Sequence, residues 1–112
     1  MTEVFISDTK KGIKSAVNEI FMNLEKIEPI LGDSKDVYIK VNGIDFKKHA
    51  YTSPEVLKEV ILYLKNKGAN IHVMENSTQA NMTRIVFAIN GYKKICEDLD
   101  VEMIFLDEET TK

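Results

Sequence analysis

Apolar positions take a helical period from residue 13 onward. Ile13, Ala16, Val17, Ile20, Phe21, Leu24 and Ile27 stand at spacings of 3, 1, 3, 1, 3 and 3, the stripe of an amphipathic helix laid on a core. That helix runs to about Glu28, because Pro29 disfavours helical geometry at the residue before it and Gly32 supplies a left-handed stop. Ahead of it, Val4 to Ile6 is a short apolar strand, and Ser7, Asp8 or Thr9 can cap the helix that follows. Val37-Tyr38-Ile39-Lys40-Val41 then alternates with period two, its β-branched residues on one face and Tyr38 and Lys40 on the other, as in a half-buried strand. A second helix opens at Thr52-Ser53-Pro54-Glu55, where Thr52 and Glu55 have the spacing of a capping box and Pro54 suits the first turn. Val56, Leu57, Val60, Ile61 and Leu64 form its stripe and Gly68 ends it. Ile71 to Met74 is a strand, Met82 to Asn90 and Tyr92 to Leu99 are helical on either side of Gly91, and Val101 to Leu106 is a last strand, apolar apart from Glu102.

Helical crossovers between strands imply a parallel sheet with right-handed connections. The expected fold is therefore α/β and Rossmann-like, with a four-stranded, mostly parallel sheet in three layers, in the order β-α-β-α-β-α-α-β. With 112 residues and no repeat, linker or low-complexity tract, residues 1–112 read as a single α/β domain.

Composition narrows the partners. The charge of -3 gives no global attraction to nucleic acid or to an anionic membrane. No apolar run nears the ~18 residues of a membrane span, and no signal-peptide pattern opens the chain, so a cytoplasmic location is expected. The one cysteine, Cys96, cannot close an intramolecular disulfide, and alone it cannot hold a zinc ion or an iron–sulfur cluster, which need about four ligands. No cofactor is expected in this chain, nor a metal site.

In an open parallel sheet a ligand lies beyond the carboxyl ends of the strands. The strand-to-helix stretches Asn42 to Tyr51 and Glu75 to Asn81 exceed the ~2 to 6 residues such a loop needs. They hold Asn42, His49, Thr52, Ser53, Glu75 and Ser77, with Lys40 on the strand feeding the first. Lys40 and the backbone donors at the start of the second helix suit a small anion, phosphate or carboxylate. Bland roles compete: a solvated Lys40, a turn-forming Asn42, an exposed loop His49, a Glu75 that simply ends its strand, His72 as sheet packing and Cys96 as core. The acidic stretch Asp107-Glu108-Glu109 reads as a solvated end. No G-x-x-x-x-G-K-[ST], G-x-G-x-x-G, C-x-x-C or H-E-x-x-H occurs.

Five pieces in order resemble a known family. Val37-Tyr38-Ile39-Lys40-Val41-Asn42 resembles a strand ending I-K-P-N, with Val41 in place of the proline. Thr52-Ser53-Pro54-Glu55-Val56 resembles a T-[ST]-P-E-V helix start. Lys67-Gly68-Ala69 with Ile71 to Glu75 resembles a Gly turn into a strand ending G-[DE]-S-S, here with Asn76 between Glu75 and Ser77. Asn90-Gly91-Tyr92 and Val101 to Asp107 are similar to a Gly-Tyr break and a final strand. Together, from Val37 to Asp107, they resemble the N-terminal part of the domain-of-unknown-function 362 family, of which this chain would be a fragment or short form.

What the resemblance implies is a site at Lys40, Asn42, Thr52, Ser53, Glu75 and Ser77, the same edge that loop length selects. Relatives are often linked to ferredoxin-type iron–sulfur modules, so any cluster would come from a partner chain or a missing domain. The function expected is binding of a small anionic ligand, accessory to a redox protein; the alternative is a non-catalytic interaction or assembly module. Tyr38 and Lys40 on one strand, and His72 and Met74 on another, leave sheet surface for which the few crossover helices offer no cover. A homodimer or a partner chain is the expected consequence.

Overall fold

The structure, a computed structural model, describes residues 3–42, 51–75 and 83–106. Its elements are α1 (Ile13–Glu25), β1 (Asp36–Lys40), α2 (Pro54–Asn66), β2 (Asn70–Glu75), α3 (Thr83–Asn90), α4 (Tyr92–Asp98) and β3 (Glu102–Phe105). The strands form one parallel sheet in the order β1-β2-β3. In the register, Tyr38 lies beside His72 and His72 beside Glu102; one step on, Ile39 lies beside Val73 and Val73 beside Met103.

The α/β class holds, with two corrections. First, the sheet has three strands among the described residues, because Val4 to Ile6 does not join it. Val4 and Ile6 are 78% and 90% exposed, and Ser7 Oγ donates to Glu19 Oε2 at 2.9 Å, fixing the segment beside α1. Three residues carry too few ladder bonds to hold a strand on an edge unaided. Second, the described layers number two. Right-handed crossovers that step the same way along a sheet place their helices on the same face, and α2 and α4 accordingly pack against each other, α2 on β2 and α4 on β3. A third layer needs a reversal in strand order, and β1-β2-β3 has none.

The covered face carries the core. Val41, Leu57, Ile61, Leu64, Ile71, Val73, Phe87, Tyr92, Cys96 and Phe105 are buried together. The other face shows Asp36, Tyr38 and Lys40 on β1, His72 and Met74 on β2, and Glu102 and Ile104 on β3.

Helix α1 is shorter than its stripe implies. It starts at Ile13 without a side-chain cap, Gly12 at φ 102° preceding it, while Asp8 Oδ1 accepts from the Lys10 backbone instead. Only Ala16 and Val17 are buried, and Ile27 is 59% exposed beyond the helix end. The reason is position: α1 lies against α2 rather than on the sheet, stacking Phe21 on Tyr63 at 4.7 Å.

Candidate functional site

At the carboxyl end of β1 the chain turns inward. Val41 is buried at 2% exposure and donates its backbone N–H to Met74 O at 3.2 Å, extending the ladder by one bond. Asn42 and Thr52 then clasp each other: the Asn42 N–H donates to Thr52 Oγ1 at 2.9 Å and the Thr52 N–H donates to Asn42 O at 2.9 Å. The Tyr92 hydroxyl donates to Thr52 O at 2.5 Å. Burial pushes the Tyr92 phenol up to about 12, so it stays protonated and keeps donating. Tyr51 and Phe87 meet its ring edge-on.

The clasp changes the expected roles of Thr52 and Ser53. Thr52 does not cap α2 with Glu55; its hydroxyl oxygen is turned to Asn42. Ser53 is the N-cap, Pro54 follows at the first helical position, and Ser53 Oγ accepts from Val56 N at 3.4 Å. Pro54 has no N–H, Val56 donates to Ser53, and the Glu55 carboxylate stands in the same turn. The backbone cradle expected there is therefore partly occupied.

The central feature is Glu75. It closes β2 on the helix-covered face, in step with Ile71 and Val73 and beside Phe105 in the register. Its side chain is 1% exposed, and Lys40 Nζ, on a side chain 60% exposed, meets its Oε1 at 2.7 Å. A carboxylate out of water needs a compensating charge and hydrogen bonds, and Lys40 supplies the charge from the solvent side. Asn90, 4% exposed, and Tyr92 complete a buried polar group at this edge. Period two could have located Glu75, since a residue in phase with Ile71 and Val73 faces the core. The burial of Asn90 has no such signal, because it follows from how α3 seats beside the Gly91 turn at φ 90°.

Of the expected site residues, the structure thus brings together Lys40, Asn42, Thr52, Ser53 and Glu75. His49 and Ser77 lie outside the described residues. Cys96 is core, as expected, its thiol pushed up to about 11 by burial.

His72 sits in the sheet as expected, but on the open face and in polar company. It stacks on Tyr38 at 4.5 Å, meets Glu102 Oε1 through Nδ1 at 2.8 Å and Asp36 Oδ1 through Nε2 at 3.2 Å. Asn70 Nδ2 donates to the same Asp36 oxygen at 2.8 Å. The hydrogen bond to Asp36, then that to Glu102, raises the His72 pKa. Among the described residues no group of three His, Cys, Asp or Glu side chains can hold a metal ion, and no described helix is long and apolar enough to cross a membrane.

A family model described as a domain of unknown function, DUF362, matches residues 37–112. No curated protein and no solved structure matches the chain.

Proposed function

The chain belongs to the DUF362 family, and from that premise we propose that it is a ligand-binding α/β domain whose site is the Lys40–Glu75 pair at the carboxyl edge of the sheet. The observation that carries this reading is a nearly fully buried carboxylate at a strand end, paired with an exposed lysine at 2.7 Å. Such a pair contributes little net stability, since its desolvation cost offsets its attraction, and the carboxyl edge of a parallel sheet is where ligands bind.

The ligand is a small anion, a carboxylate or phosphate. Lys40 receives it: an ammonium has three donors, and the exposed side chain turns part of this group to solvent while Glu75 holds it in place. Asn42, Thr52 and Ser53 border the same edge and fix the chain on both sides of residues 43–50. An accessory role beside an iron–sulfur protein is compatible with this site. Any cluster would bring its own ligands, since the one cysteine is in the core.

Differential scanning fluorimetry with phosphate, sulfate and acetate tests the proposal. The wild type is expected to gain melting temperature with at least one of these anions and Lys40→Ala to gain none. Equal shifts in both proteins, or none in either, would overturn it.

A further inference from the structure

The Lys40–Glu75 pair divides its two charges unequally between protein and water. The Glu75 side chain is 1% exposed and the Lys40 side chain 60%. An anion that Lys40 receives therefore meets the ammonium from the solvent side, while Glu75 Oε1 keeps the inner side at 2.7 Å. Two acceptors on one ammonium nitrogen stand about 4 to 5 Å apart. At that distance like charges disfavour each other's ionisation, and the buried one has the least water to offset the repulsion.

The described elements around Glu75 bring Lys40 from β1 and mostly neutral groups from elsewhere. Tyr92 of α4 stays protonated with its hydroxyl on Thr52 O. Asn90 of α3 is neutral and Phe105, beside Glu75 on β3, is apolar. The first turn of α2 carries Glu55, a second acid. Lys93 of α4 lines a separate groove with Met103 and Phe105, and His72 and Glu102 pair on the opposite face of the sheet. Lys40 is thus the cation that Glu75 and an arriving anion share.

We propose that anion binding at this edge is proton-linked: as Lys40 takes the anion, Glu75 takes a proton from solvent. The inference rests on the anion site proposed above and adds its regulation. The proton joins a Glu75 carboxylate oxygen and no bond breaks, so each monoanion bound arrives with one compensating positive charge. The edge returns to one ammonium facing one anion, and the buried carboxyl is neutral. Linkage then fixes the sign: binding that takes up protons strengthens as pH falls. Charges this close shift an ionisation by more than a unit even at a protein-like dielectric, so the effect on affinity is about tenfold.

Calorimetric titration of the full chain with sulfate and with acetate tests it, at about pH 6 and pH 8 and in buffers of contrasting ionisation enthalpy, which counts protons taken up per anion bound. Both anions stay ionised across that range, so the count reports the protein. The wild type is expected to take up protons and to bind about tenfold tighter at the lower pH. Glu75→Gln, a neutral mimic of the protonated carboxyl, is expected to bind without uptake, and at the higher pH more tightly than the wild type. His72→Gln removes the other group that titrates in this range and is expected to keep the uptake. If Glu75→Gln fails to fold, the counts for the wild type and His72→Gln decide. Binding without uptake, uptake that Glu75→Gln retains, or uptake lost in His72→Gln would overturn the linkage and leave the anion site standing. Binding of neither anion would overturn both.

Discussion

Glu75 shares its face of β2 with Ile71 and Val73, and that placement makes a strand-ending carboxylate into a buried ion. Removing Lys40 alone takes from a buried carboxylate the cation that offsets its charge, so Lys40→Met is expected to cost about 1 to 3 kcal/mol, toward the lower end because the lysine is mostly solvated. The double variant Lys40→Met with Glu75→Leu, in which no charge is buried, is expected to recover most of that loss. Urea melts of the two variants check this, and a double variant weaker than the single one would show that the pair serves stability. His72 makes a different prediction. Its pKa is raised by the hydrogen bonds to Asp36 and Glu102, so the folded state prefers the protonated ring. That stabilisation is complete below the unfolded value of about 6.5 and is lost as pH rises through the higher folded value. The urea midpoint of the wild type is therefore expected to fall between about pH 6 and pH 8, and His72→Gln to flatten that fall. Sequence placed Lys40, Asn42, Thr52, Ser53 and Glu75 at one edge because loop length and strand polarity fix where an edge lies. Which oxygen caps the helix and which carboxylate is buried depend on where the chain turns, and the Thr52 clasp is such a turn.

At the level of elements, the two long helices show how far a stripe can be trusted. Helix α2 buries Leu57, Ile61 and Leu64 between the sheet and its neighbours, and its Ser53 cap, Pro54 start and Gly68 stop at φ 88° agree with that placement. Helix α1 has an equally regular stripe yet buries only Ala16 and Val17. Periodicity reports that a helix has an apolar side; the depth of burial depends on what packs there, and α1 meets another helix at the margin. Leu64→Ala is accordingly expected to cost about 2 to 5 kcal/mol, and Ile20→Ala, half-buried on α1, no more than about 1.5 kcal/mol. Urea denaturation of both variants measures the contrast, and equal losses would place α1 in the core. The alternating pattern at Val4 to Ile6 does not become a strand among the described residues, because three residues carry too few ladder bonds to hold a sheet edge unaided.

For the whole molecule, strand order governs what is covered. Element order and parallel pairing followed from the alternation of helical and strand periods; the β1-β2-β3 order, which puts both crossovers on one face and leaves the other to Tyr38, His72 and Glu102, leaves no trace in local sequence. The same topology brings the ends of β1 and β2 side by side, so that a lysine from an edge strand reaches a carboxylate at the end of the central one. That juxtaposition carries the proposal of a ligand site. The most direct measurement is a titration of the isotope-labelled protein with phosphate and with acetate, followed residue by residue in amide nuclear magnetic resonance spectra. Saturable shifts are expected, centred on Lys40, Asn42, Ser53 and Glu75, absent in Lys40→Ala and small at His72 and Val4. Saturable shifts elsewhere, or none at that edge at any concentration, would contradict the proposal.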